Sequence, residues 1–515
     1  MNYFPTYIPN PYAAANVFRQ LTPPQKGESA AILPTFEDAR SLLPQPFWEG
    51  HTTAIDCYWK VWEIAFRNLR QPTPENCFVS PYIDTAFNGN LFMWDSAFIL
   101  MFCRYASRAF KFQQTLDNFY CKQHPDGFIC REIRETDGGD LFSRFDPAAT
   151  GPDVMPWSEW EYYLNFADRD RLERVFPPLL AFHQWMRRYR TWQDGSYWAS
   201  GWACGMDNQP RLSIHRYQKA ADGPLEWWDH DHMIWVDATF QALFSARILA
   251  QMAEELNQPQ EAETLQEEID HLTRVANESL WDDKTAFYYD RFRDGTLSTV
   301  KTIGAYWALL AGAVPADRLE RFVAHLNNPA EFKRLHRVPT LSADHSDYDP
   351  RGGYWRGSVW APTNYMILRG LTANGLHDLA HEIALNHHQN VVKVFEQTGT
   401  VWENYAPDFV SRGNQSAGDF VGWTGLPPTA VLFESVFGLR PDVPNRRLVW
   451  DVRLLEEHGV AQYPFGKDGL IDLRCEARIS AADRPQITAI SNQPLTLELI
   501  WAGGREFIRL APNAV

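Results

Sequence analysis

The sequence predicts a mainly α-helical body followed by a small C-terminal antiparallel β module. Three observations predict it: helical periodicity recurs from about residue 50 to 435, strand alternation is scarce there, and alternation sets in after Pro441. Residues 1–45 carry Pro5, Pro9, Pro11, Pro23, Pro24 and Pro34, too dense for helices, and read as an irregular arm over the body. Residues 46–440 form the body. In it Leu179, Phe182, Met186 and Tyr189 make one helical stripe and Phe240, Phe244, Ile248 and Met252 another, both core faces. The polar-aromatic motifs fall between such stretches, which points to a helical toroid whose loops build a mouth. Residues 441–515 alternate in Trp450-Asp-Val-Arg-Leu454, Leu473-Arg-Cys-Glu-Ala-Arg478 and Leu495-Thr-Leu-Glu-Leu499, with 487–491 and 506–510 as further strand candidates.

Composition narrows the partners. The chain has 515 residues, and its 48 Lys+Arg against 64 Asp+Glu give a net charge of −16. That balance argues against nucleic acid and anionic membrane surfaces and favours a small neutral carbohydrate. Seven scattered cysteines give neither a disulfide framework nor paired metal spacing, so a reducing, cytoplasmic setting is expected. No leader pattern and no apolar run of spanning length occurs. Asp229-His-Asp-His232 has metal-ligand residue types, but adjacent residues rarely converge on one ion; no metal and no cofactor are expected. The sequence says nothing of oligomeric state.

Two distant segments each set one carboxylate among aromatic and amide residues: Trp202-Ala-Cys-Gly-Met-Asp-Asn-Gln-Pro-Arg211 and Val401-Trp-Glu-Asn-Tyr-Ala-Pro407. Cleaving a sugar bond needs one carboxyl held protonated for the leaving oxygen and one held ionised for water or carbon, and aromatic neighbours supply the desolvation that separates them. Asp207 and Glu403 are the candidate pair. Either could instead serve a turn or a helix end. Gly353-Tyr-Trp-Arg-Gly-Ser-Val-Trp-Ala-Pro-Thr-Asn-Tyr365 adds Tyr354, Trp355, Arg356, Gly357, Trp360 and Asn364 as a candidate sugar wall. Asn90-Leu-Phe-Met-Trp-Asp-Ser96 adds Phe92, Trp94 and Asp95, whose carboxylate can accept from two adjacent hydroxyls. Trp202, Asn208, Arg211, Trp402 and Tyr405 flank the two carboxylates, and Trp157 and Glu159 follow a Gly-containing 131–156 loop able to act as a lid.

Those motifs, in that order over about residues 85 to 435, resemble glycoside hydrolase family 63, which is similar to the trehalases and includes α-glucosidases and the mannosylglycerate and glucosylglycerate hydrolases. The resemblance implies an (α/α)6 barrel hydrolysing α-glycosides with inversion, Asp207 matching the general acid and Glu403 the general base. It also implies that Phe420-Val-Gly-Trp-Thr424, with Trp423, closes the sugar site. Gln209 and Ser358 depart from the residues common there. A glycerate leaving group would ask for a cation from Arg131, Arg134 or Arg216. Two rivals remain at this level: an epimerase or lyase using His215, His230 or His232, and a non-catalytic sugar-binding protein.

Overall fold

A computed structural model describes residues 8–27, 32–212 and 229–513. Its helical body combines enclosed and half-exposed helices. Helix α1 (Thr52–Arg67) leads to α2 (Met93–Cys103), every residue of which is buried. Then come α3 (Met155–Phe166), α4 (Arg169–Tyr189), α5 (Val236–Glu255), α6 (Pro259–Ser279), α7 (Ala361–Ala373) and α8 (His377–Thr398). A wide π-helical segment, Pro427–Val436, closes the body.

Local sequence sets these boundaries. Asp168 caps α4 by accepting from the Arg171 N–H at 3.0 Å, and Pro259 and Pro362 occupy first turns, where no N–H is missed. Gly399, at φ +72°, ends α8 in the left-handed conformation. α2 is apolar all round and runs through the interior; α6 shows only a stripe including Leu265, Ile269 and Leu272 to the core, so its other faces meet solvent. α3 packs on α2 and α4, α5 on α3, α4 and α6, α7 on α8, and α8 on α1 and the π segment. Arg104, Glu161, Arg369 and Glu434 join the C-cap of α2, α3, α7 and the π segment in one buried network, with Arg104–Glu434 and Arg369–Glu161 both at 2.6 Å.

The sheets correct the expected all-antiparallel module. Strands β1 (Gln45–Trp48), β4 (His458–Pro464), β5 (Leu470–Cys475) and β6 (Ile487–Ser491) form one antiparallel sheet; β2 (Leu439–Asp442), β3 (Arg447–Asp451), β7 (Leu495–Trp501) and β8 (Gly504–Leu510) form the other. In the second, β7 runs parallel to β3, because the strands of the first sheet intervene in sequence and serve as the long crossover a parallel pair requires. β1 comes from residues 45–48, beside β4. Sequence patterning passed over β4 because Gly459 and Pro464 interrupt alternation and a register shift falls between Val460 and Tyr463. Tyr463 rings with Tyr105 and Phe433 carry the apolar core from helices into sheet. Among the described residues, no helix is long and apolar enough to cross a membrane.

Candidate active site

Asp207 and Glu403, far apart in sequence, line one cavity with Asp95, Arg131, Tyr354, Trp355, Phe420 and Trp423. Three local structures deliver the carboxyls. Asp95 stands in the first turn of α2, straight after the Asn90–Phe92 strand that pairs with Glu132–Arg134. Asp207 sits in a run of turns fastened on both sides: the Asn208 amide accepts from the Trp355 N–H at 2.8 Å and donates to the Gly353 carbonyl at 3.1 Å, while Gln209 donates to the Thr340 carbonyl at 2.8 Å. Glu403 lies in the extended segment after α8, where its own N–H donates to the Ala417 carbonyl at 2.9 Å. The Ala417 N–H in turn donates to the Glu403 carboxylate at 3.1 Å.

The wall opposite is strained and stacked. Tyr354 adopts φ +61°, unusual for an aromatic residue, and its hydroxyl reaches the Glu403 carboxyl at 3.5 Å. Trp355 stacks on Trp360 at 3.9 Å and 2°, so Trp360 backs the wall from behind. Trp94, only slightly exposed, lines the cavity with its ring while its indole N–H is enclosed and without a partner.

Burial governs the charges. It raises the Asp207 carboxyl to about 6; Arg131 pulls it down and Glu132 pushes it up. Burial likewise raises Glu403 to about 7, against the Ala417 N–H, which favours the ionised form, and with a push from Asp207. Asp95 is driven well above the usual carboxylate range, by burial first and Glu403 second. All three carboxyls therefore take up protons at a higher pH than ordinary ones do.

That arrangement costs stability. Because folding raises the Glu403 pKa, the native chain binds the proton more tightly than the unfolded one; stability falls as pH climbs from about 4.5 towards 7, and the full penalty stands above that. Glu403→Gln is expected to raise the unfolding free energy at pH 8 by up to about 3 kcal/mol and to change little at pH 4. Thermal unfolding at both pH values checks this; an equal shift at both would show that the carboxyl's ionisation is not the cause.

The structure divides the sequence candidates. Phe92, Trp94, Asp95, Trp202, Tyr354, Trp355 and Trp423 line the cavity with Asp207 and Glu403. Asn208 and Arg356 act behind it, Arg356 donating to the Asn208 carbonyl at 3.0 Å. Gly357 serves the turn: at φ +142°, a Cβ there would meet the Asp349 carbonyl at 2.8 Å. The other candidates stand off the cavity wall. Arg211 is locked between Asp237 and Asp290. Asn364 bonds the Val338 backbone through both amide atoms. Glu159 pairs with Arg171 at 2.7 Å, and Trp157 stacks on Tyr365. Trp402 lies under Arg412, and the Tyr405 hydroxyl accepts from the Trp402 N–H. Each is a buried or paired polar-aromatic group, which a linear string presents much as it presents a binding group. His230 and His232 pack against Trp192 away from this cavity; His215 and Arg216 lie outside the described residues. Sequence reasoning missed Phe87, Gly151, Pro152 and Gly205 on the wall. Of these only Phe87 carried a signal, an aromatic residue just before the Asn90 motif. A roomier recess between residues 8–11 and 184–189 has, among the described residues, Asp126 as its one lining carboxyl and so shows no acid–base pair there.

Comparison with known proteins gives the site a setting. The profile of the mannosylglycerate hydrolase MGH1-like glycoside hydrolase domain matches residues 89–424, a span that includes Asp95, Asp207 and Glu403. The mannosylglycerate hydrolase of Thermus thermophilus is 25% identical over 352 residues, 56% of this chain and 83% of that protein. The crystal structure of a Thermus thermophilus GH63 mannosylglycerate hydrolase in complex with glucose superposes with a TM-score of 0.57 at 22% identity, over 72% of this chain and 99% of that one. A probable mannosyl-oligosaccharide glucosidase of Schizosaccharomyces pombe is 26% identical over 288 residues; the match covers 50% of this chain and 34% of that longer protein. A GH78 rhamnosidase of Bacillus sp. GL1 shares the fold over 88% of this chain and 42% of its own, with a TM-score of 0.61 at 14% identity.

Proposed function

The chain belongs to the mannosylglycerate hydrolase MGH1-like glycoside hydrolase family, and from that premise we propose that it is an inverting, exo-acting α-glycosidase, most readily an α-glucosidase on a small α-linked oligosaccharide or glucoside. Asp207 protonates the glycosidic oxygen, and Glu403 takes the proton from the water that attacks the anomeric carbon from the opposite face. Asp95 holds hydroxyls of the bound ring, and Trp94 and Trp355 meet its C–H faces. One observation carries the reading: carboxyls from two distant segments share one aromatic-walled cavity, each raised by burial into the range where it can give or take a proton near neutral pH.

In the protein alone the two carboxyls lie close together, raised to about 6 and about 7, and are not yet set apart as these roles need. Substrate supplies the separation. A glycosidic oxygen against Asp207 accepts from the protonated form and favours it, while water against Glu403 donates to the ionised form and favours that. The combination of enclosed helices (α2, α3, α5, α7, the π segment) with half-exposed ones (α4, α6, α8) supports an (α/α)6 barrel over residues 46–440, with residues 1–45 as an arm and 441–515 as a β-rich module. An epimerase or lyase draws no support from His230 and His232, which stand away from the carboxyls.

Proton NMR of the protein with α-glucosides, α-mannosides, trehalose and glycerate-linked sugars tests this. The expected result is the β-anomer in the first minutes from one α-linked substrate. The α-anomer would overturn inversion, and absence of any hydrolysis product would overturn the glycosidase reading.

A further inference from the structure

Phe87 is the outlier of the cavity wall. Trp355 is 1% exposed and Phe420 3%, but Phe87, lining the same space, is 52% exposed and marks the rim. An isolated exposed Phe is ordinary on a protein surface. This one is held in place. Its ring meets Phe92 at 5.9 Å and 72° and Phe420 at 5.8 Å and 87°, both edge-on contacts that leave the rest of the ring open. The turn beneath is fixed too: the Asp84 carboxylate accepts from the Ala86 N–H at 2.8 Å, Ala86 and Gly89 take φ of +60° and +77°, and the Glu135 N–H donates to the Gly89 carbonyl at 3.2 Å. Phe87 also precedes residues 89–424, so the feature lies outside the segment this chain shares with the family profile.

The charges near the rim point the same way. Arg131 is the one cation among the described residues of the wall, and part of its guanidinium is engaged. It donates to the Ala148 carbonyl at 2.8 Å, lies 3.5 Å from the Glu132 carboxylate, and sits over the Phe142 and Trp202 rings at 4.9 and 5.6 Å. Asp95, Asp207 and Glu403 face the same cavity. A carboxylate-bearing leaving group would enter beside three carboxyls that offer it no positive charge, and would share the one nearby cation, Arg131, with Glu132 and Asp207.

We propose that Phe87 selects the leaving group: a neutral second sugar ring rests its C–H face on the phenyl ring as it projects through the rim, and small anionic leaving groups gain nothing there. This rests on the exo-glycosidase reading, in which the glycosyl unit fills the buried end and whatever follows the cleaved bond passes Phe87.

The test compares affinities for a disaccharide and its own monosaccharide, maltose against glucose and α-1,2-mannobiose against mannose, by titration of tryptophan fluorescence, in the wild type, Phe87→Ala and Phe87→Trp. Turnover of the same disaccharides is followed in parallel. The expected result is a wild-type preference for one disaccharide that falls about tenfold in Phe87→Ala and returns in Phe87→Trp, with monosaccharide affinity unmoved. A preference unchanged in Phe87→Ala overturns the inference, as does a loss shared equally by monosaccharide and disaccharide, or a wild type with no preference at all. If the preference behaves as expected but no disaccharide is hydrolysed, the rim inference stands and the glycosidase reading falls.

Discussion

Asp207→Asn and Glu403→Gln are each expected to lower kcat by about 10²- to 10⁴-fold while the protein stays folded, since each removes one proton transfer from the transition state. The two losses differ in kind. An α-glycosyl fluoride leaves without needing a proton, so Asp207→Asn should recover much of its rate on that substrate. Glu403→Gln, which has lost the group that activates water, should not. In the unaltered enzyme kcat/KM should trace a bell with its maximum between the two raised values, about 6 and about 7, because the active form carries one proton across the pair. Steady-state kinetics of both variants on a glycoside and on the matching fluoride checks the assignment. Near-normal rates in either variant would take that residue out of the mechanism, and recovery on the fluoride by Glu403→Gln instead would exchange the two roles.

Arg211→Met is expected to cost about 3–5 kcal/mol of stability. The guanidinium donates to Asp290 at 2.7 and 2.9 Å and to Asp237 at 2.8 Å, and it lies 4.4 Å over the Trp235 ring. The side chain is 1% exposed and the two carboxylates fully enclosed, so removing the cation leaves two buried anions without their counter-charge. The same carboxylates also bind backbone at the start of α5, where the Val236 N–H donates to Asp290 and the Ala238 N–H to Asp237, both at 2.9 Å. Arg211 thus ties the end of the Asp207 loop to the head of a helix. Urea unfolding of Arg211→Met measures the cost. A variant of unchanged stability but weakened sugar binding would show that Arg211 touches substrate after all.

Legibility followed the kind of signal. The stripes at Leu179–Phe182 and Phe240–Met252 lie on α4 and α5, because a helix writes its buried face into local spacing. The parallel pairing of β7 with β3 has no such trace, since alternation marks a strand's faces but not its neighbour. The joining of β1 to β4 across more than four hundred residues is hidden for the same reason.

Chemistry divided likewise. The sequence alone determined which residue types were available: two carboxylates set among aromatics, a Trp-rich wall, an acidic surface and the ordered motifs of one hydrolase family. Only the tertiary structure decided which of them meet. It brought Asp95, Asp207 and Glu403 to one cavity, turned Arg211 and Glu159 into buried ion pairs, set Asn208 to brace the Asp207 loop, and left Phe87 at the rim. The physical reason is that desolvation and charge pairing depend on atoms a few ångströms apart in space. A carboxylate beside a tryptophan in the chain reads the same whether the fold opens it to a cavity or closes it on an arginine.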